Sequence, residues 1–207
     1  MELFNTSGIF TIIYIEKVVL MKTKKLTLAG MLIALATVLS LIKIFDAPYG
    51  GSITAGSMVP IIIFSMMSDA KWGITQAACY SIVQLMLGWY APPAQNFISF
   101  AAVILLDYVI AFGGLGLAGP IARRLGEGRI ATVTGVLSVL FIRFLCHFLS
   151  GILIWDSLAP EGQPVWLYSL LYNGGYMIGE TVVTIVATLL ILSRNSNNCK
   201  NLPKSSV

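Results

Sequence analysis

Residues 130–155 read IATVTGVLSVLFIRFLCHFLSGILIW, and this stretch decides the fold class of the chain. An α-helix needs about 20 mostly apolar residues to cross a lipid bilayer, and this stretch is longer than that. Only Arg143 and His147 interrupt it with ionisable side chains. Together with five other apolar stretches it gives six predicted spans, at residues 26–44, 53–67, 72–89, 97–120, 130–155 and 164–192. The sequence therefore predicts an all-α integral membrane bundle of six transmembrane helices.

The composition of the whole chain agrees with a membrane location and excludes other classes of protein. Its 207 residues are 57% hydrophobic and 11% charged, with a mean hydropathy of +0.86, whereas soluble domains carry about 25% charged residues. Such a chain cannot cover a water-facing surface, and it is too apolar to be disordered. Three cysteines are too few for a disulfide-stapled secreted fold. The net charge of +4 fits a membrane protein with its basic residues on one side better than a nucleic-acid-binding protein.

Basic residues mark one side of the predicted bundle. With the N-terminus inside, 11 of the 13 lysines and arginines fall in predicted cytoplasmic segments: Lys17, Lys22, Lys24, Lys25, Lys71, Arg123, Arg124, Arg129, Arg194, Lys200 and Lys204. The predicted outer segments hold three acidic residues, with only Lys43 at the end of the first span. An excess of Lys and Arg is typical of cytoplasmic loops, so both termini are predicted to be cytoplasmic.

The chain divides into three predicted regions. Residues 1–25 form an N-terminal cytoplasmic extension, residues 26–193 a six-helix transmembrane domain, and residues 194–207 a cytoplasmic tail. The apolar segment 10–15 is too short to span a bilayer or to indicate a signal peptide. Met21 precedes a basic run, as an alternative start would. The sequence leaves open whether residues 1–20 are translated or form a surface-lying extension.

Four ionisable side chains lie inside predicted spans, where charge is costly and usually functional. Asp107 and His147, like the amide of Asn173, lie about 14 Å from the outer ends of their helices at a rise of ~1.5 Å per residue. We therefore expect these three side chains to converge at one level. Arg143 and Glu180 are deeper, and we expect them to form a buried structural ion pair. His147 alone equally suits a structural hydrogen bond to a neighbouring helix.

Helical spacing adds further residues to the lining at this level. Gly151 and Trp155 share a face with His147, and we expect Gly151 to leave space for a ligand. The last predicted helix carries two adjoining stripes of polar and aromatic residues: Asn173, Tyr176 and Glu180, then Tyr168 and Tyr172. A carboxylate, an imidazole, an amide and aromatic faces together suit a cationic, partly aromatic ligand. For Trp155 and Tyr168, an aromatic belt at the membrane interface is the alternative interpretation.

Motifs typical of enzymes and nucleotide sites do not occur in the sequence. It has no Gly-x-x-x-x-Gly-Lys-Ser/Thr phosphate loop and no Cys/His cluster with zinc spacing, so we predict neither a cofactor nor a metal. A single histidine without a nucleophile–base pair argues against an intramembrane hydrolase, and the chain is predicted not to be an enzyme. Gly30 and Ala34 on the first helix are small residues at i and i+4. They serve either close approach of a partner helix or packing within this bundle.

Several short motifs between about residues 26 and 192 carry a family resemblance: PYGGSIT (48–54), MVPI (58–61), LDYVIAF (106–112), LGLAG (115–119), HFLSG (147–151) and APEGQPVWLYSLLYN (159–173). On these motifs the chain resembles the thiamine-specific substrate-binding (S) component of energy-coupling factor (ECF) transporters, the bacterial thiamine transporter family. The resemblance implies six helices with cytoplasmic termini and an outward-facing thiamine pocket. It also implies partnership with a transmembrane coupling subunit and two ATPase subunits.

The same resemblance assigns site residues. The family's substrate-binding positions fall on Asp107 as the acidic ligand, Tyr108 beside it, His147, Trp155 as the stacking tryptophan, Tyr168 and Asn173. Some relatives carry a glutamate at the position of Asp107, and some cover the ligand with a tryptophan where this chain has Gly51. The resemblance also makes Gly30 and Ala34 the expected docking face for the coupling subunit.

The predicted function is high-affinity thiamine binding and uptake across the bacterial plasma membrane. The loops around residues 49–52 and 92–96 are expected to close over the ligand because they lie on the outer side and contain Gly and Pro. One alternative is a self-sufficient proton-coupled carrier of thiamine or a related cationic vitamin, with Glu180 or Asp107 as its proton site. An integral membrane enzyme is the other alternative, and the absence of paired catalytic carboxylates argues against it. Free and phosphorylated thiamine are not distinguished by the sequence.

Overall fold

The computed structural model describes the backbone of residues 6–94 and 96–200, and the side chains of residues 20–94 and 96–193. Its helices are α1 (Thr6–Leu41), α2 (Val59–Met67), α3 (Ala70–Leu87), α4 (Phe97–Leu125), α5 (Arg129–Leu153) and α6 (Val165–Lys200). Among the described residues, four stretches are helical, long and apolar enough to cross a membrane: Leu20–Leu41, Phe97–Leu125, Arg129–Leu153 and Val165–Ser193. The end of the predicted tail, residues 201–207, lies outside the described residues.

A small antiparallel sheet follows α1, and the predicted spans did not include it. Strands β1 (Lys43–Asp46) and β2 (Ser52–Thr54) pair as a hairpin. The first predicted span, residues 26–44, is therefore helical only as far as Leu41. At the tip of the hairpin, Tyr49 and Gly50 both have positive φ, of 64° and 99°. Glycine adopts this conformation at no steric cost, which lets the chain reverse within a few residues.

The second predicted span, residues 53–67, was wrong in its length. Helix α2 begins only at Val59, after β2 and a turn at Gly56 with φ of +85°. Its nine residues reach about 14 Å, against about 30 Å of bilayer hydrocarbon. Ile61, Ile62 and Phe64 are at most 1% exposed. The apolar run at this position therefore reflects burial inside the protein and not contact with lipid.

Helices α2, α3 and α4 meet at a junction of small residues. A Cβ on Gly119 would lie 1.9 Å from the carbonyl oxygen of Ser65, and one on Gly116 would lie 2.5 Å from that of Gly73. The Ser65 hydroxyl donates to Gly116 O at 2.6 Å and accepts from Gly119 N at 3.0 Å. Only glycine permits such close backbone approach, so this junction fixes the position of α4 against α2 and α3.

Helix α4 is irregular where it enters the bundle. Residues Ile104–Ile110 are π-helical and Gly114–Leu117 are 3₁₀-helical, with α-helix on either side. π-Helical turns are rare and frequently occur at functional sites. Asp107 lies within the π-helical segment.

The hairpin is fastened to α6. Thr54 donates from its backbone N and from Oγ1 to the two carboxylate oxygens of Glu180, each at 2.7 Å. The Tyr172 hydroxyl accepts from Gly51 N at 3.1 Å and donates to the carbonyl oxygen of Pro48. The hairpin thereby becomes one wall of the interior cavity described next.

Candidate functional site

A cavity of about 530 Å³ lies between the hairpin, the connection from α3 to α4, and helices α4, α5 and α6. This volume is within the range of about 300–1,000 Å³ that is typical of small-molecule sites. All six residues predicted to bind substrate line it: Asp107, Tyr108, His147, Trp155, Tyr168 and Asn173. The lining thus combines charged, amide and aromatic side chains from several helices in one chamber.

Asp107 is the centre of a hydrogen-bond cluster on the cavity wall. Its Oδ1 lies 2.9 Å from His147 Nδ1. Its Oδ2 accepts from Ser150 Oγ at 2.6 Å and from Trp155 Nε1 at 3.3 Å. The Asp107 and His147 side chains are 15% and 13% exposed. The predicted convergence of Asp107 and His147 is therefore confirmed, and Ser150 joins them from one turn along α5.

The second nitrogen of the His147 ring contacts Arg143. Arg143 Nε donates to His147 Nε2 at 3.3 Å. The Arg143 guanidinium lies over the Phe112 ring, 4.2 Å from its centroid, and Nη1 contacts the sulfur of Met58. Both ring nitrogens of His147 thus have partners within the protein.

The predicted ion pair between Arg143 and Glu180 was wrong. Among the described residues, no ion pair joins them. Glu180 is 1% exposed, and its carboxylate is satisfied by the backbone and hydroxyl of Thr54 instead. The physical reason is the hairpin, because it delivers two hydrogen-bond donors to Glu180 while Arg143 turns towards His147.

Asn173 reaches the same level as His147, as predicted, and is held by several hydrogen bonds. Its Nδ2 donates to Ser169 O at 3.0 Å and to His147 O at 3.3 Å, and its Oδ1 accepts from the Tyr176 hydroxyl at 2.9 Å. Gly151, which we expected to leave space for a ligand, does line the cavity. However, a Cβ at this position would lie 2.2 Å from Ser169 Oγ, so the space beside Gly151 is taken up by α6. Its lack of a side chain instead lets α5 approach α6 closely.

Aromatic rings surround the Asp107 cluster. Trp155 lies beside Tyr90 at a centroid distance of 6.1 Å, and Tyr168 stacks on Tyr172 at 5.9 Å. The Tyr108 hydroxyl donates to the carbonyl of Gly88 and accepts from Tyr90 N at 3.3 Å. Tyr108 therefore braces the connection between α3 and α4 with its polar end.

Residue-level reasoning from the sequence missed Ser150, which donates to Asp107 from behind the cavity wall, and lining residues such as Tyr90. Ser150 follows His147 at i+3, so helical spacing alone could have placed it beside that histidine. Tyr90 had no such signal, because it lies outside any helix, after the end of α3. Of the two loops expected to cover a ligand, residues 49–52 line the cavity. Residues 92–94 and 96 do not, and residue 95 is not described.

Gly30 and Ala34 lie on an exposed face of α1. A Cβ added to Gly30 would meet no described atom within 4 Å beyond its chain neighbours and the backbone of its own helix. Ala29 and Ala36 are 6% and 0% exposed, so it is another face of α1 that packs into the bundle. The small pair is not used for packing within the described part of this chain.

Comparison with known proteins identifies relatives of one kind. The family described as "Thiamine transporter protein (Thia_YuaJ)" matches residues 26–200. The thiamine transporter ThiT of Bacillus subtilis is 30% identical over 169 residues, covering 76% of this chain and 84% of that relative. ThiT of Lacticaseibacillus paracasei is 29% identical over 150 residues, covering 66% of this chain and 71% of that relative.

Two solved structures share the fold. ThiT from Listeria monocytogenes aligns with a TM-score of 0.68 at 17% identity, covering 85% of this chain and 97% of that chain. A structure described as the S component of a bacterial ECF transporter aligns with a TM-score of 0.61 at 17% identity, covering 87% of this chain and 99% of that chain. At this identity the likeness extends to the architecture alone.

Proposed function

The chain belongs to the thiamine transporter (Thia_YuaJ) family, whose named members are transporters and not enzymes, and we propose that it binds thiamine in the cavity at Asp107 for uptake. It is a multi-pass protein of the bacterial plasma membrane, in keeping with its long apolar helices and its relatives. The observation that carries the proposal is the Asp107 carboxylate, which faces an aromatic cavity and accepts hydrogen bonds from α5 and Trp155.

The charge of the cavity supports a ligand with one positive charge. Five described residues with charged side chains line it, and of these Lys43 and Asp46 neutralise each other as an ion pair at 2.9 Å. Asp107, Glu180 and Arg143 remain. By formal charge, with His147 counted as neutral, these three residues sum to one negative charge. Thiamine carries one permanent positive charge, on its thiazolium ring.

Each predicted contact has a chemical role in this proposal. Asp107 opposes the thiazolium charge, while the rings of Trp155 and Tyr168 stack on the ligand, as aromatic faces do with cations. His147 and Asn173 hydrogen-bond the aminopyrimidine, each giving up one of its present protein partners. Tyr108 shapes the wall by holding the connection between α3 and α4.

Fluorescence titration of the purified protein tests this assignment. The chain has four tryptophans, and we expect thiamine to quench their emission saturably. In Trp155→Phe the quenching should fall, and what remains should come from Trp89, which also lines the cavity. Trp166→Phe is the matched control, because Trp166 is 54% exposed and is not part of the cavity lining. Folded wild-type protein with no saturable response to thiamine would overturn the proposal.

We further propose that the chain works as an S component, with six membrane helices, of which the short α2 is buried inside the bundle, and with both termini in the cytoplasm. It would require a transmembrane coupling subunit and two ATPase subunits, and the exposed Gly30 and Ala34 would dock the coupling subunit. Support comes from the architecture shared with an S component and from the unpaired small-residue face of α1. Small residues let a partner helix approach closely within a bilayer.

One observation favours a second candidate, a self-sufficient proton-coupled carrier. Glu180 is a buried carboxylate on the cavity wall, and no described residue forms an ion pair with it. Carboxylates of this kind serve as proton sites in transporters. Uptake by vesicles decides between the two. The S-component proposal expects no thiamine accumulation by this chain alone and ATP-dependent uptake with the coupling module. Uptake by the chain alone that collapses with the proton gradient would establish the carrier.

A further inference from the structure

We propose that Arg143 is a positioning residue that holds His147 in the neutral tautomer carrying its proton on Nδ1. The tautomer is inferred from the contacts of the ligand-free chain. Only its consequence for ligand recognition rests on the proposed function.

The Nε2 side of the His147 ring faces Arg143. A guanidinium has five N–H donors and no acceptor, so in any hydrogen bond with His147 the arginine must donate. Arg143 Nε lies 3.3 Å from His147 Nε2 with its N–H directed at that atom. His147 Nε2 must therefore be the acceptor, and an accepting ring nitrogen carries no proton.

The Nδ1 side of the His147 ring faces Asp107. A neutral imidazole carries one proton, so with Nε2 unprotonated the proton is on Nδ1. His147 Nδ1 then donates to Asp107 Oδ1 across 2.9 Å. This requires Asp107 to accept at Oδ1, and it also accepts at Oδ2 from the indole N–H of Trp155, which can only donate. The directions of all these hydrogen bonds agree with a carboxylate and a neutral imidazole.

Arg143 is itself held by two further side chains. Its guanidinium lies on the Phe112 ring and contacts the Met58 sulfur. It precedes His147 by one turn of α5, the spacing at which helical side chains are neighbours. Because Arg143 is held beside His147, its N–H keeps favouring the tautomer in which His147 Nε2 is unprotonated.

This tautomer determines which hydrogen-bond donors and acceptors the cavity wall offers to a ligand. His147 presents a donor at Nδ1, and Asp107 presents only acceptors. A ligand group inserted between them must offer an acceptor to His147 and a donor to Asp107. A ring nitrogen next to an exocyclic amino group, as in an aminopyrimidine, carries this pair. The neutral state of His147 also preserves the single negative charge of the lining.

The tautomer can be measured directly by NMR, because the ¹⁵N shifts of a protonated and an unprotonated imidazole nitrogen differ strongly. The chain contains one histidine, so ¹⁵N-histidine labelling of a protein purified without a polyhistidine tag reports on His147 alone. In the ligand-free wild type near neutral pH, we expect a protonated Nδ1 and an unprotonated Nε2. A proton on Nε2, or on both nitrogens, would overturn the proposal.

Variants test whether Arg143 is the cause. Arg143→Met should shift the signals towards a mixture of tautomers, and Arg143→Lys, which keeps a donor, should restore the wild-type pattern. Arg124→Met is the control, since Arg124 is exposed near the end of α4, and its spectrum should match the wild type. A folded Arg143→Met with the wild-type spectrum would refute the role of Arg143. Should that variant not fold, the wild-type spectrum and Arg143→Lys decide. A wild-type protein that carries the proton on Nδ1 but does not bind thiamine would contradict the proposed function and leave the proposal about Arg143 intact.

Discussion

Replacing Asp107 by asparagine removes the charge of the proposed site while keeping its shape. The carboxylate accepts from His147, Ser150 and Trp155 at 2.9, 2.6 and 3.3 Å. An asparagine side chain has one accepting oxygen and one donating NH₂ group. Whichever way the amide is turned, its NH₂ group faces at least one of these donors. The substitution therefore affects both ligand binding and the ligand-free fold.

The two effects have different magnitudes. A donor left without an acceptor costs about 1–3 kcal/mol of folding stability. For binding, a thiazolium charge about 5 Å from the carboxylate gains about 3 kcal/mol at an effective dielectric constant of ~20. Loss of that attraction corresponds to about a hundredfold increase in Kd.

Calorimetric titration of thiamine into wild type and Asp107→Asn, in the same detergent, measures the binding effect. Thermal unfolding without ligand measures the stability effect separately. Asp156→Asn is the matched control, because Asp156 is exposed and outside the cavity lining, and we expect it to bind thiamine like the wild type. A folded Asp107→Asn variant that binds thiamine as tightly as the wild type would refute the electrostatic reasoning.

Three further substitutions test other parts of the structure. Ala34→Trp should abolish ATP-dependent uptake with the coupling module and leave thiamine affinity unchanged; loss of both would indicate misfolding, and unchanged uptake would exclude the docking face. Gly119→Ala places a Cβ 1.9 Å from a backbone carbonyl oxygen of α2, so its Tm should fall by the equivalent of about 1–3 kcal/mol, whereas Gly174→Ala, whose Cβ would meet no described atom within 4 Å beyond its own stretch of helix, should not lower the Tm. Thr54→Val removes the hydroxyl that donates to buried Glu180 and should cost about 1.5–3 kcal/mol in thermal unfolding; an unchanged Tm would show that the hairpin does not depend on this contact.

The level of the site could be predicted from the sequence because the rise per residue varies little along a helix, and the π-helical segment at Asp107 is too short to remove the convergence. Asp107, His147 and Asn173 are nearly the same number of residues from the ends of their predicted helices, and a fixed rise per residue places them at one depth. In the structure, His147 lies 2.9 Å from Asp107 and 3.3 Å from the Asn173 amide nitrogen. Their contact with a ligand stays a prediction.

The partners of the deeper charges could not be predicted in the same way. The depth of a residue along its helix does not determine the direction in which its side chain points. Arg143 and Glu180 lie at similar depths, but Arg143 contacts His147 and Glu180 contacts Thr54. The partner of Glu180 is Thr54 of the hairpin. The sequence pattern did not reveal this hairpin, because β1 and β2 are joined to long apolar segments that were predicted to be helical throughout. Short strands of three or four residues carry too little alternation to be recognised beside long apolar runs.

The central claim is that thiamine occupies the cavity at Asp107, and a structure of the full chain determined at saturating thiamine tests it most directly. We expect one ligand in the cavity, with its thiazolium ring near the Asp107 carboxylate and against Trp155. His147 and Asn173 should contact the aminopyrimidine, whose amino group should donate to Asp107, and Arg143 should remain on His147 Nε2. An empty cavity under those conditions, or thiamine bound at another place on the chain, would contradict the account.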